Sequence, residues 1–209
     1  MRLAVDAQQP EEDVLEAAAR VIGDHGIVAF PTETFYGLAT SVFDRRGCAR
    51  VFELKGRSST KALPCIVSDV EALVQVAREI SPVVLELAAR FWPGPLTVVL
   101  PARASVVAAS VDGTIAVRVS SLPLARALAV GAGPITATSA NRSGAFPAQT
   151  ADDVESQLGD DVELLLDGGT AAGGLPSTIV AVGSAGSGGD GRIELIREGA
   201  IPFRDVSSR

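Results

Sequence analysis

Residues 11–34 read EEDVLEAAARVIGDHGIVAFPTET, and the fold class follows from the two periods in this stretch. Val14, Leu15, Ala18, Val21 and Ile22 recur at helical spacing, acids crowd the first turn, and Gly26 stands where the helix must close, which predicts an amphipathic helix over Glu11–His25. Ile27-Val28-Ala29-Phe30 is then a short apolar strand ended by Pro31. The polar run Thr32-Glu33-Thr34 follows at its carboxyl end, the edge at which open α/β sheets place ligands.

The same reading extends outward. Helices are expected over Gly47–Leu54, from a Ser68/Glu71 capping box to Arg78, from Ser81-Pro82 to Phe91, over Pro123–Val130 and over Asp152–Leu158. Strands are expected over Leu63–Val67, Leu96–Leu100, Ile115–Val119, Pro134–Thr138, Glu163–Leu166, Ser177–Val182 and Arg192–Ile196. Trp92-Pro93-Gly94-Pro95 breaks one helix, and Ser184–Gly191 is a glycine-rich connection. With no internal repeat and no composition break, the pattern predicts one α/β domain over residues 1–209, a twisted mixed β-sheet flanked by helices.

Counting removes several chemistries. The 209 residues contain one histidine, His25, so a multi-histidine metal site is excluded, and the ring near a helix end reads as structural. Cys48 and Cys65 lie seventeen positions apart with no Cys-x-x-Cys pair, which predicts reduced thiols in a cytoplasmic protein. The uncharged stretch Gly168–Gly189 holds too many glycines for a membrane helix, and Met1 opens no charged-then-apolar leader. A net charge of -7 argues against a surface devoted to nucleic acid, yet Asp44–Lys61 concentrates six basic residues (Arg45, Arg46, Arg50, Lys55, Arg57, Lys61) against two acids. Only two of the eighteen basic residues are lysines, Lys55 and Lys61, and both fall there.

Polar clusters stand just after or inside the expected strands: Thr32–Thr34, Lys55–Lys61, Thr114 with Arg118, Ser139–Asn141, Ser177-Thr178 and Arg197. Read singly, each has a plain explanation. Lys55-Gly56-Arg57 suits a solvated loop, Ser139 and Asn141 suit a turn, Thr34 suits a helix cap, and Tyr36 and Trp92 suit a core or pocket wall. Arg118, among β-branched neighbours, must face either solvent or an occupied polar site. Read together, cations, hydroxyls and an amide without a nucleophile–base pair suit the binding and electrostatic stabilisation of anionic groups, phosphate foremost.

The ordered set Pro31-Thr32-Glu33-Thr34-Phe35-Tyr36-Gly37-Leu38, Lys55-Gly56-Arg57, Trp92-Pro93-Gly94-Pro95-Leu96-Thr97, Ala116-Val117-Arg118-Val119, Ser139-Ala140-Asn141-Arg142-Ser143-Gly144, Ser177-Thr178-Ile179-Val180 and Arg197-Glu198-Gly199-Ala200-Ile201 resembles the YrdC-like threonylcarbamoyl-AMP synthase family from about Ile27 to Ile201. The resemblance implies a YrdC-like sheet and the synthesis of L-threonylcarbamoyladenylate and pyrophosphate from L-threonine, bicarbonate and ATP. The product would pass to a tRNA threonylcarbamoyl transferase. It implies that Lys55, Arg57, Ser139 and Asn141 form the catalytic signature on the ATP phosphates, with Lys61, Thr114 and Arg197 as further ATP contacts and magnesium brought by the phosphates. Thr34, Arg118, Ala137 and Ser177 would form the threonine site, Ala137 sharing a strand face with Ser139 by the period of two.

This chain departs from the family pattern in three places. Lys61-Ala62-Leu63 stands where a proline-leucine pair is usual, Ile66-Val67-Ser68 lacks a histidine that many members carry, and Pro147 replaces a serine found in some. The length corresponds to the short form, without the additional carboxyl-terminal domain. Two other readings fit the same fold: an RNA-binding or ribosome-assembly module using the Arg45–Lys61 face, against which the acidic total weighs, and a carbamoyl-transfer domain of the kind found in hydrogenase-maturation proteins.

Overall fold

The computed structural model describes residues 1–56, 62–183 and 191–208. In chain order its elements are β1 Arg2–Ala4, α1 Glu12–Gly23, β2 Val28–Pro31, β3 Tyr36–Ala39, α2 Arg45–Lys55, β4 Cys65–Ile66, α3 Leu73–Val76, α4 Pro82–Phe91, β5 Leu96–Pro101, β6 Thr114–Arg118, α5 Pro123–Gly131, β7 Ile135–Thr136, β8 Thr138–Ser139, α6 Ala151–Leu158, β9 Leu164–Asp167, β10 Thr178–Val182, β11 Ile193–Arg197 and α7 Phe203–Ser207.

The α/β class with helices flanking mixed sheets holds, and the strands fall into two sheets. One runs β1-β9-β2-β3-β8 and the other β11-β10-β5-β6-β4-β7. The change of sheet occurs inside the segment expected as one strand: Ile135 and Thr136 pair with Ile66 and Cys65, whereas Thr138 and Ser139 pair with Leu38 and Gly37. Ala137 between them donates its amide to the Pro64 carbonyl at 2.7 Å. The chain thus trades one set of ladder partners for another while the amide at the crossover stays paired.

β2 shows why the apolar run predicted a buried strand. Val28 and Phe30 enter one core with α1 and α5, while Ala29, on the opposite face, enters the core shared by both sheets. Alternation with a period of two sends successive side chains to opposite cores, so a strand covered on both sides reads as continuously apolar.

Local chemistry shifts several boundaries. α2 starts at Arg45 rather than Gly47 because Asp44 accepts hydrogen bonds from the amides of Arg46 (3.0 Å) and Gly47 (2.9 Å). It stops after Lys55 because Gly56 takes the left-handed conformation, φ 61°. The Ser68/Glu71 capping box does not form: Asp69 accepts instead from the Ala72 amide at 2.8 Å, Ser68 donates to Asp69, and the helix shrinks to Leu73–Val76. Thr150 and Asp153 make the reciprocal box at α6. β1, β3 and α7 leave no signature in the sequence, being too short or too glycine-interrupted to show a period.

Candidate functional site

The loop Thr32–Phe35 joins β2 to β3 and is closed by its own hydroxyl. Thr32 Oγ1 donates to the Phe35 carbonyl at 2.7 Å and accepts from the amides of Thr34 (3.2 Å) and Phe35 (3.3 Å). The Thr34 hydroxyl lies 3.1 Å from Thr32 Oγ1 and is buried. Antiparallel pairing of Val98 with Val117 sets the start of β5 beside the end of β6, which brings Thr97 and Arg118 to one edge. Parallel pairing of Thr178 with Leu96 adds the start of β10, and Arg197 pairs with Ile179.

These ends, with the Ala137–Ser139 segment, surround a cavity of about 550 Å³. Thr34, Arg118, Ala137, Ser139, Ser177 and Arg197 all line it. Its size falls within the roughly 300–1,000 Å³ typical of small-molecule sites.

The cavity has two polar corners. At one, Arg118 is buried and its guanidinium is paired with the Glu33 carboxylate. Burial, and then the charge of nearby Arg197, push its pKa down to about 10, so it remains a cation at neutral pH. Thr97 donates to Ser177 Oγ at 2.9 Å, and Arg197 Nη2 donates to the Ser177 carbonyl at 2.8 Å. Arg197 is exposed, and the partial loss of water around its head lowers its pKa as well.

At the other corner, Ser139 Oγ donates to Asn141 Oδ1 at 2.5 Å. The Asn141 amide donates to the Arg142 and Ala145 carbonyls, both at 2.8 Å, which fixes the plane of the side chain. Lys55 Nζ donates to the carbonyls of Ser139 (2.5 Å) and Asn141 (3.0 Å) and to Asn141 Oδ1 at 3.2 Å. The last turn of α2 is thereby tied to the turn after β8.

Thr114 is not brought to this cavity. It begins β6, four residues and roughly 13 Å of strand from Arg118, and bonds Ser110 at 2.9 Å. Arg57 and Lys61 lie outside the described residues, as does most of the glycine-rich connection. Two contributors were missed in the sequence, Thr97 and Glu33. Each sits inside a quoted motif, but only the strand register and the ion pair reveal what it faces.

The remaining candidates are structural. His25 Nδ1 lies 2.9 Å from Asp44, at the start of α2. Arg50 is tied to Glu163 at 2.6 Å, which removes one cation from the Arg45–Lys61 face. Burial pushes the Cys48 thiol up to about 12 and raises Cys65 as well, so both stay protonated and unreactive. The Tyr36 hydroxyl, pushed up to about 12 by burial, donates to the Gly169 carbonyl at 2.7 Å. Among the described residues no helix is long and apolar enough to cross a membrane.

Fold and cavity together define an α/β protein with a small-molecule site at strand ends, rich in cations and hydroxyls. The Sua5/YciO/YrdC family model, described as telomere recombination, matches residues 20–199, and the chain belongs to that family. The threonylcarbamoyl-AMP synthase of Pyrococcus abyssi is 35% identical over 200 residues, 94% of this chain and 57% of that protein. The threonylcarbamoyl-AMP synthase of Nitrosococcus oceani is 37% identical over 169 residues, 78% of this chain and 89% of that protein. The crystal structure of P. abyssi Sua5 complexed with L-threonine superposes with a TM-score of 0.90 at 34% identity, covering 99% of this chain and 59% of that one. The chain therefore spans somewhat more than half the length of its archaeal relative and nearly all of the bacterial one.

Proposed function

We propose that the protein is a threonylcarbamoyl-AMP synthase, a nucleotidyltransferase acting in the cytoplasm as one domain over residues 1–209. The observation that carries this reading is one cavity lined by a buried guanidinium flanked by hydroxyls and by Ser139, to which Lys55 and Asn141 are hydrogen-bonded from outside the cavity lining. The named relatives and the threonine complex of the P. abyssi protein support it.

In this reading Arg118 forks onto the threonine carboxylate, and Thr34 and Ser177 give hydroxyl partners beside Ala137. The threonine amine combines with bicarbonate, releasing water, to form a carbamate. A carbamate oxygen attacks the α-phosphorus of ATP and pyrophosphate leaves. No protein nucleophile is required, because holding amine, bicarbonate and ATP together supplies most of the acceleration. Lys55, Ser139 and Asn141, with Arg57, Lys61 and Arg197, face charge developing on the phosphates.

Among the described residues no cluster of three or more His, Cys, Asp or Glu is placed to hold a metal ion. Magnesium would be brought by the ATP phosphates. The adenylate would pass to a tRNA threonylcarbamoyl transferase.

The test is pyrophosphate release by the purified protein with threonine and bicarbonate each present or omitted. Release that needs both is expected; release indifferent to threonine would overturn the reading.

A further inference from the structure

Arg118 and Glu33 form a partition. The guanidinium lines the 550 Å³ cavity, whereas Glu33 lines a separate cavity of about 530 Å³ behind it, at the carboxyl ends of the parallel strands β1, β9 and β2. Both side chains are nearly out of water, 9% exposed for Arg118 and 13% for Glu33. One Glu33 oxygen meets Arg118 Nη1 and the other accepts from the hydroxyl of fully buried Ser120. Ser120 in turn accepts from the Leu122 amide at 3.2 Å. The carboxylate is thus anchored from behind, and it takes one edge of the guanidinium while leaving the rest to the cavity.

This arrangement has a consequence for charge. A carboxylate ligand on the free N–H groups of Arg118 places two carboxylates on one buried guanidinium. The group of three then carries a net negative charge, which a poorly hydrated corner tolerates badly. A ligand that also carries an ammonium brings the sum to zero. Other formal charges around the pair are Arg126, whose Nη1 donates to the Ser120 carbonyl at 2.7 Å behind Glu33, Arg197 at the rim of the larger cavity, and Asp6 across the smaller one, where Asp6 Oδ1 already accepts from the Gln8 and Gln9 amides.

We infer that Glu33 is the specificity-determining residue of this corner. By cancelling the Arg118 charge before any ligand arrives, it makes the corner select a zwitterionic amino acid over a simple carboxylate anion such as the corresponding hydroxy acid. The inference rests on Arg118 being the carboxylate site of the proposed reaction, and it adds a role for a residue that does not itself line the substrate cavity.

The experiment is calorimetric titration with two probes, L-threonine and 2,3-dihydroxybutanoate, in which a hydroxyl replaces the ammonium. The wild-type protein is expected to bind threonine at least 100-fold more tightly than the hydroxy acid. Glu33→Gln keeps the shape and one acceptor oxygen but leaves Arg118 uncompensated, and the preference should shrink at least tenfold. Thermal melting of each variant confirms that it is folded. Should Glu33→Gln not fold, Glu33→Asp, which retains the charge but withdraws it by one methylene, should still reduce the preference about threefold. An unchanged ratio in a folded variant overturns the inference while leaving the synthase reading intact. Failure of the wild-type protein to bind threonine overturns both.

Discussion

The two guanidiniums that face the cavity are built in opposite ways. Arg118 sits on β6, inside its sheet, sealed from water and held by a carboxylate from behind. Arg197 ends β11, an edge strand, stays exposed, and is held by the neutral oxygens of Ser177. A sealed and compensated cation presents fixed N–H directions and suits recognition of one rigid carboxylate. An exposed cation at the rim keeps a field that reaches solvent and suits a longer, mobile polyphosphate. Position in the sheet, rather than residue type, separates the two proposed roles.

The largest effect should come from breaking the sealed side. Arg118→Ala removes one partner of a buried ion pair and leaves Glu33 uncompensated, which should cost about 3–5 kcal/mol of stability. Threonine-dependent pyrophosphate release should vanish. Denaturant melts and assays at a temperature where the variant remains folded separate the two losses.

Lys55→Ala should come next. It removes the bonds that join α2 to the Ser139–Asn141 turn and the cation proposed to stabilise the phosphates, so kcat should fall by about 10²–10³. If kcat is kept and only thermal stability falls, Lys55 is a strut and not part of the chemistry.

Arg197→Ala tests the open side. The KM for ATP should rise roughly tenfold with little change in the KM for threonine, and the penalty should shrink as salt screens the field. An equal effect on both substrates would erase the contrast drawn between the two arginines. Gly199→Ala probes the support of that rim. A Cβ there would fall 2.1 Å from the Pro176 carbonyl oxygen, and the overpacking should cost about 1–3 kcal/mol in urea unfolding. It should also disturb Ser177 and raise the KM for threonine modestly.

The smallest effect concerns acid stability. Burial alone would raise the Asp44 carboxyl, but its hydrogen bonds to His25 and to the α2 amides hold it below the ordinary 3.8. Arg2 does the same for Asp167 through a bond at 2.6 Å. A carboxyl whose pKa is lower in the folded state binds fewer protons there, so its stabilisation is full above the unfolded value and is lost as pH falls through the folded one. Asp44→Asn and Asp167→Asn should each flatten the decline of stability below about pH 4 while leaving neutral-pH activity unchanged.

Much of this architecture is legible in the sequence because it is periodic. α1, β2, α4, β5 and α5 carry repeating apolar positions long enough to declare their type. What escapes is short or relational. β3 is glycine-containing and four residues long, β1 has three residues, and the partner change at Ala137 depends on what lies opposite rather than on the residues themselves. The candidate site divides in the same manner. Thr34, Arg118, Ser139, Ser177 and Arg197 converge where their motifs stand at strand ends, whereas Thr114, at the far end of the strand that bears Arg118, does not join them. Glu33 stood in plain view within a motif, yet its meaning lies in which side of Arg118 it occupies, and no linear pattern encodes a side.

The ribbon Ile135–Ser139 is the last member of both sheets, first beside β4 and then beside β3. Melting either sheet therefore strips hydrogen bonds from a segment on which the other depends. The two halves should lose their structure in one concerted transition, with amides of this ribbon among the slowest to exchange with deuterium and with a denaturant slope set by the surface of both sheets together.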